Sequence, residues 1–216
     1  MPLPEKFRCE ILSWAAVIRD ARKLAWMIED SGYVPEIVIA IGRGGYVPAR
    51  ILCDYLLIRD LAAFKAEHWG TAAIRRRKAI ITFPLCANIN GRRVLLVDDI
   101  TDTGETLRVS LGYLKRFRPR EIRTAVLLHK TSSAIIPDYF TRKIVKWRWI
   151  TFPWHLWEDM NGFIEKLQAA GIRRDRTIVR ELRERYCIDL PEEMVGELLS
   201  HLGAVRHREK DVAHES

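Results

Sequence analysis

Three continuous apolar runs, "EIVIAI" (36–41), "RRVLLVDD" (92–99) and "EIRTAVLLH" (121–129), set the strongest limit on the fold. Each is short and rich in β-branched residues. A strand with one wet face alternates apolar and polar side chains; an unbroken apolar run belongs to a strand covered on both faces. Helical spacing fills the intervals. Ser13 is placed to cap a helix reaching Asp30, with Trp14, Val17, Ile18, Ala21, Leu24, Ala25 and Ile28 on one face and Ser31-Gly32 as its stop. A second helical pattern runs from Pro48 to about Ile58, and a third follows the loop 100–104 with Leu107, Leu111, Leu114 and Phe117 on one side. Strand, loop, helix, strand predicts an α/β fold with a central, mostly parallel sheet flanked by helices. Ligands in such sheets bind beyond the carboxyl ends of the strands. That directs attention to "GRGG" (42–45) and to "DDITDTGET" (98–106).

The 216 residues are enough for one sizeable domain and an appendage. With 48% hydrophobic and 30% charged residues the chain is not a disordered one. No apolar run approaches membrane-spanning length, and "MPLPEKFRCE" lacks the apolar core of a signal peptide, so no membrane partner and a cytoplasmic location are expected. Cys9, Cys53, Cys86 and Cys187 form no CxxC pair, which speaks for isolated thiols rather than a zinc site or a disulfide framework. The net charge of +8 suggests an anionic partner. Residues 173–216 hold nine Lys and Arg against ten Asp and Glu, so the positive excess lies before them and not in a basic tail.

Composition also divides the chain. Residues 70–91 join a basic cluster, a short β-like run and a turn-rich end, and read as a flap carrying a hairpin. From about residue 172 the pattern is helical, with Asp175 and Asp189 as candidate N-caps, Pro191 in the following first turn and Gly203 as a candidate C-cap. The expected division is a main domain over 1–171 that includes a small hood, a helical extension over 172–206 and a polar tail over 207–216.

The acidic loop has the chemistry of a sugar-phosphate site. A loop of small and hydroxyl residues entering a helix presents backbone N–H groups and the positive end of the macrodipole to an anion. Thr101, Thr103 and Thr106 add hydroxyl donors, and Gly104 lets the backbone come close. Asp98 and Asp99 cannot bind phosphate themselves, because like charges repel. They require a donor or a cation: a vicinal diol, or the hydration shell of Mg2+. No GxxxxGK[ST] or GxGxxG is present, so neither a P-loop nor a dinucleotide fingerprint is in question.

"VLLVDDITDTGETL" (94–107) resembles the phosphoribosyl pyrophosphate motif of type I phosphoribosyltransferases. "AIGRGGYVPARILCDYLL" (40–57) is similar to the pyrophosphate-loop segment of the 6-oxopurine members, above all the xanthine-guanine type. "ARKLA" (21–25), "LLHK" (127–130) and "WRWITFPW" (147–154) follow in matching order, so the resemblance covers about residues 7–165. It implies the type I phosphoribosyltransferase fold and a purine-salvage enzyme, a pentosyltransferase. The reaction moves a 5-phosphoribosyl group from phosphoribosyl pyrophosphate to N9 of guanine, hypoxanthine or xanthine, releasing a nucleoside monophosphate and pyrophosphate.

The resemblance also implies roles. Asp98 and Asp99 grip the sugar hydroxyls and hold Mg2+, mainly through water or substrate. Thr101, Thr103, Gly104, Glu105 and Thr106 belong to the 5-phosphate loop. Asp102 is the catalytic acid/base at purine N7; the alternative is a helix cap. Arg43, Gly44 and Gly45 meet the pyrophosphate, with a cis peptide expected at Gly42–Arg43. Lys130 donates to O6, unless it is a strand-end lysine reaching for water. Trp149 stacks on the base and the backbone of Ile150 contacts its edge, against a packing role for an aromatic-rich segment. Two departures stand out. His155 replaces the aspartate expected after Pro153-Trp154, leaving Glu158 and Asp159 as nearby acids. "EHWG" (67–70) stands where a Ser-Tyr pair is expected in the flexible loop.

A dimer or tetramer is expected, without nucleic acid. A competing reading is a phosphoribosyltransferase-like regulator that senses phosphoribosyl pyrophosphate and binds nucleic acid through Arg173, Arg174, Arg176, Arg180, Arg183 and Arg185. A third makes the extension an oligomerisation or effector element, because the stripe Met194, Val195, Leu198, Leu199 and Leu202 has to be buried.

Overall fold

In the computed structural model, residues 5–68 and 79–201 are described. The basic cluster Arg75–Arg77, Trp69 and Gly70, Leu202, Gly203 and the tail from 207 lie outside them. The chain divides into two compact units, Ala15–Trp147 and the combination of Met1–Trp14 with Arg148–Ser216.

The larger unit carries a six-stranded sheet. Its strands are β2 (Ile37–Gly42), β3 (Leu61–His68), β4 (Ala79–Phe83), β5 (Arg93–Thr101), β6 (Glu121–Lys130) and β7 (Tyr139–Ile144), in the order β4-β3-β2-β5-β6-β7. All neighbours are parallel except β3 and β4, the antiparallel pair that flanks residues 69–78. The three runs read as doubly covered strands are β2, β5 and β6. Every residue of β2 is buried, and Val94 to Val97 and Ala125 to Leu128 are almost inaccessible. Helix α1 (Trp14–Asp30) buries Val17, Ala21, Leu24, Ala25 and Ile28 of the face expected from their spacing, whereas Trp14 and Ile18, at its margins, are exposed. Helix α2 (Tyr46–Tyr55) starts two residues before Pro48, and α3 (Glu105–Lys115) begins directly after Gly104. From β2 the chain moves outward to β3; it later returns to β5, on the other side of β2. The strand order therefore reverses between β2 and β5. At such a switch point the two following loops diverge and leave a crevice.

The smaller unit pairs β1 (Cys9–Ile11) with β8 (Trp149–Thr151) in parallel. A short 3-10 turn over Pro153–His155 leads into α4 (Leu156–Ala169), followed by α5 (Asp175–Tyr186) and a helical stretch over 192–201. Asp175 is the first helical residue rather than the cap, which is Arg174. Asp189 stands three residues before the helical stretch that begins at Glu192, and its carboxylate pairs with Arg183. Val195 and Leu198 pack with Ile178, Leu182, Tyr186, Phe163 and Leu167 in one core. Met194, Val195, Leu198 and Leu199, the described part of the stripe that called for a partner, pack inside their own unit and give no support to an oligomer contact.

Candidate functional site

The two conspicuous loops leave adjacent strands at the switch point. Gly42, at the end of β2, is joined to Arg43 by a cis peptide bond. The next two glycines are required by close approach. A Cβ on Gly44 would fall on the Asp99 carboxylate, 2.6 Å from its Cγ. One on Gly45 would meet the Val97 carbonyl and lie 2.7 Å from the Ile41 carbonyl oxygen. Gly45 is also the N-cap of α2, and its N–H donates to Ile41 at 2.9 Å. The loop after β2 is thus laid against the acidic end of β5. The exposed Arg43 guanidinium helps to keep the Glu67 carboxylate below its ordinary range, after the larger effect of Lys65.

On β5, Asp99 is buried and Asp98 half-buried. The Asp99 N–H donates to Asp98 Oδ1 at 2.9 Å. Burial, and then the neighbouring negative charge of Asp99, push the Asp98 carboxyl well above its usual range. Two hard oxygen ligands held side by side against mutual repulsion fit a cation or a pair of hydroxyl donors.

The strand runs on through Thr101, two residues further than its apolar pattern. The Thr101 hydroxyl is buried and lies 2.8 Å from Nδ1 of His129, its register partner on β6. Burial, and then Lys143, lower the pKa of that imidazole. One residue further along both strands, Lys130 Nζ donates to Asp102 Oδ2 at 2.9 Å. The Lys130 side chain is only 5% exposed, so it does not reach for water, whereas that of Asp102 is 51% exposed. Asp102 is not the cap of α3 either: that position belongs to Gly104, without a side-chain cap.

Gly104 has φ +82°, and a Cβ there would sit 2.6 Å from Ser133 Oγ. The connection after β6 packs against this loop, with Ala134 N–H donating to the Thr103 carbonyl at 3.0 Å and Ser132 Oγ to that of Asp102 at 3.2 Å. Thr103 Oγ1 accepts from Glu105 N–H at 3.3 Å. Glu105 is tied to Arg108 through both oxygens, at 2.9 and 2.7 Å, so its charge is compensated beside the helix N-terminus. Thr106 is half-buried in the first turn. A helix opening of this kind receives an anion through its backbone N–H groups and dipole.

Trp149 and Ile150 belong to the smaller unit. The Trp149 ring lies 6.4 Å from Phe7 and 6.0 Å from Phe163, and Nε1–H donates to Asp159 Oδ2 at 2.9 Å. The same oxygen accepts from Thr151 Oγ1 at 2.6 Å. Burial nevertheless raises the Asp159 carboxyl. Ile150 is half-buried, in register with Glu10. His155 lies 3.6 Å from Glu158.

Sequence reasoning passed over His129, Ser133 and the indole-binding role of Asp159. For His129 a signal exists, since it directly precedes Lys130 as Thr101 precedes Asp102. Nothing local marks the others.

A family profile described as the phosphoribosyl transferase domain matches residues 9–159. Xanthine-guanine phosphoribosyltransferase of Cereibacter sphaeroides is 31% identical over 153 residues, spanning 67% of this chain and 86% of its own length. Its counterpart from Ruegeria sp. is 33% identical over 154 residues, spanning 67% and 84%. The crystal structure of purine phosphoribosyltransferase from Pyrococcus horikoshii superposes with a TM-score of 0.60 at 33% identity, covering 68% of this chain and 93% of that one.

Proposed function

Because the chain belongs to the phosphoribosyltransferase family, we propose that it transfers the 5-phosphoribosyl group of phosphoribosyl pyrophosphate to N9 of a 6-oxopurine: guanine, hypoxanthine or xanthine. The observation that carries this reading is the Asp102–Lys130 pair beside a phosphate-type helix entrance, with two carboxylates at the adjoining strand end.

Departure of pyrophosphate leaves positive charge on the sugar ring, as in glycoside hydrolysis. Asp98 and Asp99 hold the two ring hydroxyls and stabilise that charge. The 5-phosphate sits on the backbone of 102–106, whose turn at Gly104 leads into the N-terminus of α3, and the hydroxyls of Thr103 and Thr106 add donors. The Thr101 hydroxyl is committed to His129, so its part is to hold the strand end. Arg43 and the backbone of Gly44 and Gly45 receive the pyrophosphate. Lys130 donates to purine O6, and Asp102 takes the proton from N7 as N9 bonds to the anomeric carbon and pyrophosphate leaves, then releases it to solvent. Trp149 and the backbone of Ile150 are assigned to the base from the family resemblance.

No cluster of three potential metal ligands occurs among the described residues. Asp98 and Asp99 would hold Mg2+ mainly through water or substrate. Bound there, the ion neutralises pyrophosphate charge.

The regulator reading loses its main support in α5. Of the six arginines it invokes, Arg176, Arg180, Arg183 and Arg185 are interleaved with acidic partners of their own unit, so α5 is not a purely basic face, and the curated relatives are purine phosphoribosyltransferases. No helix among the described residues is long and apolar enough to cross a membrane. A homo-oligomer, dimer or tetramer, completes the reading and is checked by light scattering. The activity is tested by Mg2+-dependent formation of nucleoside 5-monophosphate and pyrophosphate with each purine in turn. Absence of product with every 6-oxopurine refutes it.

A further inference from the structure

The burial of Lys130 is lopsided. Its ion-pair partner is half in water, yet the lysine side chain is almost inaccessible. An indole lies over the ammonium: the ring centroid of Trp147 is 5.3 Å from Lys130 Nζ. Trp147 stands beyond the end of β7 on the connection that passes Lys130, and stays 43% exposed. No other aromatic ring within cation–π range of Lys130 is found among the described residues.

A lysine ammonium on a flexible four-carbon stem is drawn toward water unless something holds it. Asp102 alone is a poor anchor, because the reaction occupies its carboxylate with a proton of the base. A ring face attracts the cation without using any of its three N–H donors. The ammonium can then turn a donor from Asp102 to a base oxygen while its position is kept.

We propose that Trp147 is a positioning residue for base recognition: its indole face holds the Lys130 ammonium at the reading position while the donors pass from Asp102 to the purine. This rests on the assignment of Lys130 to O6 made above. It adds a side chain outside the phosphate loops, and its influence falls on the base and not on phosphoribosyl pyrophosphate.

The test compares Trp147→Leu and Trp147→Phe in the full chain, by steady-state kinetics with Mg2+, phosphoribosyl pyrophosphate and hypoxanthine. A lost cation–π contact at a desolvated site corresponds to roughly a tenfold rise in the hypoxanthine KM of Trp147→Leu. The KM for phosphoribosyl pyrophosphate stays at the wild-type value, and Trp147→Phe, which keeps a ring face, recovers most of the loss. An unchanged hypoxanthine KM, an equal rise in both KM values, or a Phe variant no better than Leu overturns the proposal. A wild-type protein without turnover refutes the assigned reaction instead. The positioning is then decided by NMR of the lysine ε-CH2 groups, with Lys130 assigned through Lys130→Arg. Ring-current shielding of Lys130 in wild type, lost in Trp147→Leu, supports it; identical spectra overturn it.

Discussion

Thr101 Oγ1 and His129 Nδ1 lie 2.8 Å apart in the interior, one step before the 2.9 Å contact of Asp102, the first residue beyond β5, with Lys130 at the end of β6. The first pair is a buried rung between β5 and β6; in the second, Lys130 is buried while the Asp102 carboxylate is half exposed. Rigid placement of the reactive pair thus comes from a hydrogen bond that takes no part in the chemistry.

Thr101→Val keeps shape and volume but leaves the buried imidazole nitrogen without its partner. An unsatisfied buried polar group costs about 1–3 kcal/mol. Urea unfolding is expected to report a loss of that size, and no change in midpoint would show that the rung is not structural.

The two helical environments of glycine on α3 predict opposite signs. Gly112 lies within the helix with nothing within 4 Å of an added Cβ, so Gly112→Ala is expected to stabilise by about 0.5–1 kcal/mol. Gly104 has a positive φ and Ser133 in the way, so Gly104→Ala is expected to destabilise, by roughly 1 kcal/mol or more. Thermal unfolding of the two variants side by side checks the pair of signs.

Asp159 supplies a pH dependence. Burial raises its carboxyl above the ordinary range, so the folded chain holds this proton more tightly than the unfolded one. The contribution is fully present below the ordinary aspartate pKa and is lost as pH rises through the raised folded value. Both donors, Trp149 Nε1–H and Thr151 Oγ1–H, reach the same oxygen, and an amide carbonyl can accept both. Asp159→Asn should therefore be more stable than wild type at pH 7, with the advantage disappearing in acid. Denaturation curves at several pH values test this; an advantage independent of pH contradicts it.

Much of the fold was legible because β2, β5 and β6 are covered on both faces, which leaves continuous apolar runs in the chain. β7 ("YFTRKI") lies at a sheet edge and β3 ("LAAFKAEH") next to one; their mixed, half-exposed side chains show no such run. β1 and β8, three residues each, are too short for any period. In the site, Asp98-Asp99 and Gly104 betray themselves by composition. The contact of Asp102 with Lys130 spans 28 residues and arises from strand register, which no local pattern encodes.

Lys130→Ala removes the donor assigned to O6. A charge-assisted hydrogen bond is worth about 1.5–3 kcal/mol, so the purine KM is expected to rise at least tenfold while that of phosphoribosyl pyrophosphate moves little. Steady-state kinetics with hypoxanthine and guanine read this directly, and an unchanged purine KM excludes the role.

The central claim is that Asp102 handles the N7 proton in phosphoribosyl transfer to a 6-oxopurine, and one single-turnover experiment addresses it most directly. Wild type and Asp102→Asn are mixed with phosphoribosyl pyrophosphate, Mg2+ and hypoxanthine, and the nucleoside monophosphate is followed in time. Asparagine keeps an acceptor for Lys130 but cannot take the proton. Wild type is expected to form product, with Asp102→Asn slower by roughly 10²–10⁴ although phosphoribosyl pyrophosphate still binds. Equal rates in the two proteins, or no product from wild type, would contradict the account.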